Sequence, residues 1–247
     1  MALSDSRPRD RRFAGGGPDP RGDNRSAKPV GDGAYRFDEL VADVVGLIRH
    51  LGVDQAMVVG HDWGGVVARH VAMRHPDLMA RLVAINAPHP AAFARKSRSP
   101  AQLRRSCYVV PFQLPWLPEA LFRVCRYAVM RRAFRREPVR TGAYTASAMR
   151  RYVTATAYLG ALTEASNDDR VVVRRPSRRV RPIGVPTLVI WGEQNAHLVP
   201  ALASGLEQWV LDLRVERLPH ASHWVPVDAP DATNALLIDF LQPSVNR

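Results

Sequence analysis

The sequence predicts an α/β protein with a mainly parallel sheet and an inserted helical cap. After Gly52, short apolar runs typical of buried strands alternate with segments whose apolar residues recur at helical spacing, which favours parallel strands joined by helices. Between residues 91 and 182 this alternation stops, and the chain becomes Arg-rich and helix-prone without a convincing strand. A chain of 247 residues is long enough for one large core with such an insertion.

These patterns divide the chain into four segments. Residues 1–33 carry almost no apolar side chains and are predicted to be a disordered or degraded amino-terminal segment. Residues 34–90 form the first part of the core, residues 91–182 the helical cap, and residues 183–247 the second part of the core.

Individual elements follow from apolar periodicity and from unbroken apolar runs. The predicted helices are Phe37–Leu51, Gly64–Arg74, Glu119–Phe134, Ser147–Gly160, Pro200–Val210 and Pro230–Leu241. The predicted strands are Gln55–Gly60, Leu82–Ile85, Thr187–Trp191 and Leu213–Leu218.

The stretch Val58–Gly65 indicates a strand, a sharp turn and a helix. Glycines lie two residues before and two residues after Asp62, a spacing that favours the tight turn of a nucleophile elbow. A carboxylate at the centre of such a turn can attack an electrophilic carbon and form an ester with the enzyme. The backbone N–H of Trp63 then lies where an oxyanion donor is needed. The alternative is a Gly-rich turn that exposes a solvated carboxylate.

The elbow and several later motifs resemble the epoxide hydrolases of the α/β-hydrolase superfamily. The resemblance rests on Gly60–Gly65, His75–Asp77, Asn86–Pro90 and Phe112–Pro115, and it extends over nearly the whole chain. Haloalkane dehalogenases share the Asp-Trp elbow. The resemblance implies an α/β-hydrolase fold in which a helical cap covers the core.

The amino-terminal part departs from this family. No segment corresponds to the family's first three strands or to its His-Gly-x-Pro loop, which supplies a second oxyanion donor, and Phe13–Gly17 makes a poor fourth strand. We therefore expect an N-terminally truncated version of the fold.

The resemblance implies a reaction in two halves. Asp62 opens an epoxide ring and becomes a hydroxyalkyl ester, while cap tyrosines donate hydrogen bonds to the ring oxygen. A histidine, oriented by an acid, then activates the water that cleaves the ester. His223 stands at the position of this histidine, with His220 as its rival, and Tyr108 stands at that of the first cap tyrosine. The alternatives are a surface-loop histidine and an ordinary packed aromatic residue.

Two positions depart from the implied chemistry. Asn195 stands where the orienting acid belongs and cannot stabilise an imidazolium; the same change in the serine-protease template costs roughly 10⁴ in turnover. Glu193 is the alternative acid. Asp169 stands where the second cap tyrosine belongs and can donate a hydrogen bond only when it is protonated. The resemblance therefore implies an epoxide hydrolase with impaired turnover.

Composition excludes several other classes. All but Lys28 and Lys96 of the 35 basic residues are Arg, so we attribute the net charge of +12 to codon preference rather than to a nucleic-acid interface. Cys107 and Cys125 make no disulfide framework, and no Cys/His cluster has metal-ligand spacing. No apolar run is long enough to span a bilayer, and the Arg-rich amino terminus has no apolar segment of the kind that a secretory signal needs. We expect a cytoplasmic protein without cofactor, metal, nucleic-acid or membrane partner, acting on a small hydrophobic substrate; the oligomeric state is not predicted.

Two further functions remain open. A haloalkane dehalogenase-like hydrolase would use the same Asp62, with Trp63 cradling the halide, whereas a haloacid dehalogenase would need Arg where Trp63 and Val66 stand. A non-catalytic remnant, or a binding or dimerisation module, is the other alternative, because strands and chemical groups of the family lack counterparts and an exposed strand edge favours pairing.

Overall fold

The computed structural model describes residues 15–114, 116–174 and 180–242. Within these ranges the sheet has four parallel strands in the order β1-β2-β3-β4. The strands are β1 (Ala56–His61), β2 (Met79–Ile85), β3 (Thr187–Gly192) and β4 (Leu213–Leu218). The helices are α1 (Phe37–His50), α2 (Trp63–Arg74), α3 (Pro90–Lys96), α4 (Pro100–Ser106), α5 (Val109–Phe112), α6 (Leu117–Val124), α7 (Ala128–Arg136), α8 (Ala146–Ala157), α9 (Ala161–Arg174), α10 (Val225–Asp228) and α11 (Pro230–Leu241). Short 3₁₀ turns cover Asp32–Tyr35, Pro76–Leu78 and Pro200–Ala203.

Helices cover both faces of the sheet, which explains the unbroken apolar runs of β2 and β3. Successive side chains of a strand point to opposite faces, so Leu82 packs with α1 and α2 while Val83 packs with α11. Both side chains are fully buried. The predicted parallel α/β architecture is confirmed.

The chain between β2 and β3 contributes only helices, α3 to α9, among its described residues. We call this segment the helical insertion. The prediction of one helix over Glu119–Phe134 is wrong, because Arg126 and Tyr127 adopt φ of 48° and 59° and separate α6 from α7. Left-handed backbone at two consecutive residues cannot continue an α-helix. Helix α9 was not predicted.

Elements of the core agree more closely with prediction. Helix α11 and strand β4 have the predicted bounds, and α1 differs by one residue. The predicted helix Pro200–Val210 is wrong: Ser204 is extended and Gly205 has a φ of 65°, so only the first turn forms. The four-segment division of the chain stays a prediction.

The described part of the amino-terminal segment, residues 15–33, forms turns against the core. The guanidinium of Arg21 donates to both carboxylate oxygens of Asp43 on α1, at 2.5 and 2.6 Å, and to the carbonyl of Ala34 at 2.7 Å. In the part of the chain that the structure describes, no helix combines the length and the hydropathy that crossing a bilayer requires.

Candidate active site

Asp62 lies at the junction of β1 and α2 in a strained backbone conformation. Its φ is 52° and its ψ is −124°, a region that costs a non-glycine residue about 1–3 kcal/mol. Hydrogen bonds fix the turn: the Asp62 N–H donates to the carbonyl of Ile85 at 3.1 Å, and its carbonyl accepts from Gly65 and Val66 at 2.9 and 3.0 Å. Strand, sharp turn and helix therefore follow one another as the sequence predicts.

Two glycines make this turn possible. A Cβ on Gly60 would lie 2.4 Å from the backbone carbonyl of Gly64, and a Cβ on Gly65 would lie 2.4 Å from the Cβ of Ala87. Gly64 has no atom within 4 Å of such a Cβ, so the expectation that the tight turn admits only small residues two positions after Asp62 is wrong. The close approach of β1 to α2 instead falls on Gly60 and Gly65.

The Asp62 carboxylate faces the ring of His223. The Nε2 atom of His223 lies 3.6 Å from Oδ1 of Asp62, and the His223 side chain is buried. Enclosure by protein raises the pKa of Asp62, but the His223 ring first, and then the nearby His61 and the Trp63 N–H, hold that pKa below its usual value. Asp62 is therefore an ionised carboxylate at neutral pH, as a nucleophile must be.

Two polar side chains that sequence reasoning did not assign position the backbone of His223. Its carbonyl accepts from Nε2 of His61 at 2.8 Å and from Nδ2 of Asn86 at 2.7 Å. Burial lowers the pKa of His61 to about 4, so this ring is neutral and carries its proton on the donating Nε2. The Oδ1 atom of Asn86 also accepts from the Gly192 N–H at 2.9 Å, which links the ends of β2 and β3 to the His223 loop. Their signal in the sequence is a polar residue at the end of an apolar strand.

Asn195 contacts the other nitrogen of the His223 ring. Its Nδ2 lies 3.2 Å from Nδ1 of His223, and its Oδ1 accepts from the backbone N–H groups of His197 and Leu198 at 2.9 and 3.0 Å. Backbone N–H groups are donors only, so the buried amide must present its oxygen to them and its NH₂ to the ring. Nδ1 of His223 is therefore the acceptor, and the ring proton lies on Nε2, facing Asp62.

The two alternatives from the sequence do not reach this arrangement. Glu193 pairs with Arg217 at 2.5 Å instead of with the His223 ring. His220 is exposed to solvent.

Glu137 and His197 join the helical insertion to the site. Oε2 of Glu137 accepts from Nε1 of Trp224 at 2.9 Å and contacts Nε2 of His197 at 3.1 Å. The hydrogen bond from His197 is the main cause that lowers the pKa of Glu137, against the effect of burial. The His197 ring stands edge-on to Tyr108 and to His223, with centroids 5.0 and 5.3 Å apart. The sequence gives no signal for Glu137, because it ends an Arg-rich helix far along the chain from both partners.

Tyr108 and Asp169 belong to the helical insertion, and the charge of Asp62 raises the pKa of both side chains. The pKa of Tyr108 is raised first by burial and then by Asp169 and Asp62, so its hydroxyl stays protonated. Burial, followed by the charge of Asp62, raises the pKa of Asp169 to about 7. The backbone carbonyl of Asp169 accepts from Nε2 of Gln113 at 3.1 Å, which fixes this part of α9.

The assembled groups can capture an electrophile. Asp62 is an ionised carboxylate beside an imidazole, and the Tyr108 hydroxyl can donate to an oxygen that gains charge. Within the described ranges, no three side chains of His, Cys, Asp or Glu are placed so that they could hold a metal ion.

Comparison with known proteins gives a consistent family. The model of the α/β-hydrolase fold family matches residues 3–230. Epoxide hydrolase 4 of Homo sapiens is 31% identical over 235 residues, covering 93% of this chain and 65% of the human protein. The AB hydrolase superfamily protein YfhM of Bacillus subtilis is 36% identical over 228 residues, covering 91% of this chain and 79% of that protein.

Solved structures point in the same direction. An epoxide hydrolase from Bacillus megaterium superimposes with a TM-score of 0.81 at 29% identity, over 90% of this chain and 81% of that one. Epoxide hydrolases from metagenomes of hot environments give a TM-score of 0.79 at 30% identity, over 91% of this chain and 80% of that one. The chain spans just under two thirds of the length of the human relative. This chain belongs to the α/β-hydrolase superfamily, and within it the chain is epoxide hydrolase-like.

Proposed function

We propose that this protein opens small hydrophobic epoxides through Asp62 and holds the product as an ester that it hydrolyses poorly. One carboxylate oxygen of Asp62 attacks an epoxide carbon, the bond from that carbon to the ring oxygen breaks with its electrons passing to the oxygen, and the resulting alkoxide takes a proton from water. The product is a hydroxyalkyl ester on Asp62. Support comes from the ionised state of Asp62, from its strained position at the elbow, and from relatives whose names are epoxide hydrolases.

Tyr108 and Trp63 have supporting roles in this proposal. The Tyr108 hydroxyl donates a hydrogen bond to the ring oxygen as negative charge develops there. Its raised pKa keeps that donor protonated throughout the neutral range. The backbone N–H of Trp63 donates to the oxyanion that forms when water later attacks the ester.

In this proposal His223 is the base for hydrolysis of the ester. The observation that carries the proposal is the position of the proton on the His223 ring. A base must have a lone pair on the nitrogen that faces the water. The Asn195 amide donates to Nδ1, so Nε2 carries the proton and cannot accept one from water. The other tautomer would set two N–H groups against each other at 3.2 Å, which leaves buried donors unpaired. The ester therefore forms faster than it breaks down.

Exposure of the intact chain to styrene oxide tests this proposal. We expect mass spectrometry to show one covalent adduct that maps to Asp62, with slow release of diol, and we expect no adduct on the Asp62→Asn variant. Normal diol production without an adduct would show that Asn195 does not impair the base. Halide release from a panel of haloalkanes, with no epoxide adduct, would favour the haloalkane dehalogenase-like alternative. A cooperative thermal melt without reaction towards either probe would leave a non-catalytic binding module.

A further inference from the structure

Helix α6 buries its charged side and exposes its apolar side. On the buried side, Oε1 of Glu119 accepts from Nη2 of Arg170 on α9 at 3.0 Å. The ring of Phe122, also on this side, lies 6.4 Å from the ring of Phe112 on α5, measured between centroids. The opposite side faces solvent with apolar residues at helical spacing, namely Leu117, Ala120, Leu121 and Val124. A surface helix normally has the reverse arrangement, and here the contacts of Glu119 and Phe122 fix it in place.

The exposed apolar side chains form one continuous surface. Leu117 and Leu121 are 53% and 51% exposed, and Val124 at the end of the helix is 81% exposed. Trp116, which precedes the helix, is 80% exposed and has a φ of 62°, a strained value for a bulky side chain. Adjacent large apolar groups in water indicate an interaction surface. We call Trp116, Leu117, Ala120, Leu121 and Val124 the α6 surface.

The part of the chain that contains α6 also holds the net charge of the protein. Residues 91–163 contain 14 of the 35 basic residues but only 2 of the 23 acidic ones, so the rest of the chain carries 21 of each. Both of those acidic residues, Glu119 and Glu137, already have partners within the protein. A codon preference would add Arg along the whole chain and would not remove acidic residues from one segment. The positive charge is therefore a local feature of the helical insertion.

Arginines surround the carboxyl end of the α6 surface. Arg123 lies beside the apolar side chains on α6, Arg126 follows the helix, and both are exposed. Nη2 of Arg131 on α7 donates to the carbonyl of Arg126, which holds this third guanidinium at the same end of α6. Among the residues that the structure describes, no carboxylate lies within ion-pair distance of these three guanidinium groups. An anionic partner is needed to compensate their charge.

We propose that the α6 surface and these arginines dock the protein onto a bilayer of anionic lipids. The side chains of Leu117, Leu121 and Val124 enter the boundary between head groups and acyl chains, and the indole of Trp116 lies at the same level. The guanidinium groups contact the anionic head groups, and each adds to the attraction. Our expectation of no membrane partner rested on the lack of a spanning run, which this mode of binding does not require.

Charge and apolarity together decide against two other occupants. A second copy would place Arg123, Arg126 and Arg131 against an equally positive surface, because both acidic residues of this segment already have partners. A nucleic acid would match the charge but would leave the apolar side chains against phosphates. An anionic bilayer matches both features, since negative head groups there lie next to an apolar interior.

Docking goes beyond the proposed function and does not depend on it. Tyr108, which precedes α5, and Glu137, which follows α7, belong to the same helical insertion. If Asp62 acts on hydrophobic epoxides, docking therefore brings the candidate site close to the phase in which such substrates dissolve.

Flotation of the intact chain with lipid vesicles tests the proposal. One set of vesicles is phosphatidylcholine alone, and the other contains about 30% phosphatidylserine. Leu121→Gln/Val124→Gln removes apolar side chains from the α6 surface. Its matched control is Val53→Gln/Leu211→Gln, because those two side chains are exposed outside the insertion. Arg123→Gln removes one charge beside the surface, and Arg49→Gln on α1 is its control.

We expect the unchanged chain to bind the anionic vesicles at least about 10-fold more tightly than the neutral ones, and salt to weaken that binding. Leu121→Gln/Val124→Gln should weaken it about 10-fold or more, and Arg123→Gln about 5-fold. Both controls should bind like the unchanged chain. All variants should melt at the same temperature, because each changes only exposed side chains.

Tryptophan fluorescence locates the contact on the protein. Emission should move to shorter wavelength when anionic vesicles are added, because the indole of Trp116 leaves water. Trp116→Phe should still bind these vesicles but should lose most of the shift. A shift of equal size in Trp116→Phe would show that another part of the protein meets the bilayer, against the proposal.

Three further results would overturn the proposal. The first is equal binding of both kinds of vesicle, or binding that Leu121→Gln/Val124→Gln leaves unchanged. The second is binding of an RNA oligonucleotide without binding of vesicles, which would assign the arginines to nucleic acid. The third is a dimer in gel filtration that Leu121→Gln/Val124→Gln converts to a monomer, again without binding of vesicles. The reaction of Asp62 with styrene oxide is measured separately, so these results leave the proposed function untouched.

Discussion

The elbow at Asp62 and the loop at Asn195 both hold a side chain in a fixed position beside His223, but only the elbow presents a carboxylate there. At the elbow, the close approach of β1 to α2 positions the side chain of Asp62, and that side chain is an ionised carboxylate. At Asn195, the side-chain oxygen accepts two backbone N–H bonds and the other terminal atom reaches His223, as a carboxylate would. That second atom is a donor instead of an acceptor. The Asn195 amide therefore places its heavy atoms as a carboxylate would, but its NH₂ group leaves the proton of the His223 ring on Nε2 instead of Nδ1.

The largest effect we expect comes from Asn195→Asp. One oxygen of the new carboxylate can keep the N–H bonds of His197 and Leu198, while the other accepts the proton of His223 Nδ1 and frees Nε2 as a base. Diol turnover from styrene oxide should rise roughly 10³–10⁴-fold, and the adduct on Asp62 should no longer accumulate. Initial rates of diol formation measure this change.

Gln194→Glu is the matched control for added charge. Gln194 is exposed next to Asn195 and donates to the carbonyl of Pro219 rather than to the histidine ring. Equal diol turnover in Asn195→Asp and Gln194→Glu would mean that the direction of the hydrogen bond to His223 does not limit hydrolysis.

The sequence predicts the elements that local pattern determines and misses those that tertiary contacts determine. Helix α11 and strand β4 have clear periodicity or alternation with helices, so their bounds follow from the residues. The predicted helix from Pro200 fails because apolar content continues past Gly205, whose positive φ ends the turn. The spacing of apolar residues does not indicate where the backbone becomes left-handed. Only the glycine itself, taken as a signal for the end of a helix, would have predicted the stop.

The same limit applies to the candidate site. Asp62, His223 and Asn195 could be found because they stand at fixed offsets in recognisable motifs, and the structure brings them together. Glu137 and His197 could not, because their contact joins the end of α7 to a loop of the core and neither lies in a motif. Contacts between the helical insertion and the core depend on how the two parts pack together. A short sequence pattern within either part does not predict that packing.

A second, smaller effect separates the glycines of the elbow. Gly60→Ala should destabilise the fold by about 3 kcal/mol, because its Cβ would lie 2.4 Å from backbone atoms that cannot move aside. Gly64→Ala should stabilise it by about 0.5–1 kcal/mol, because the site is open and alanine favours a helix. Urea unfolding midpoints measure both. Equal midpoints for the two variants would contradict the close approach of β1 to α2 at Gly60.

The smallest effect concerns Arg69, which lies on α2 only two turns beyond the nucleophile. Its side chain is fully buried; Nε donates to the carbonyl of Ala87 at 3.2 Å, and among the residues that the structure describes neither Nη1 nor Nη2 has a hydrogen-bond partner. Burial lowers the pKa of this guanidinium to about 10, which is the mark of a charge that the surroundings do not stabilise. Arg69→Met keeps most of the volume and removes the charge, and it should raise the free energy of unfolding by about 1–2 kcal/mol.

Arg74→Met on the same helix is the control for the loss of an arginine. Arg74 pairs with Asp38 at 2.5 Å near the surface, so its removal should cost less than about 1 kcal/mol. The two variants should therefore change stability in opposite directions, while the rate of Asp62 esterification stays unchanged in both. Destabilisation by Arg69→Met would mean that a buried partner compensates this charge. A gain in stability with unchanged esterification would instead show that the charge of Arg69 is uncompensated and that it does not disturb the position of Asp62. This is the expected result, because the close contacts of Gly60 and Gly65, rather than the stability of α2, fix the turn.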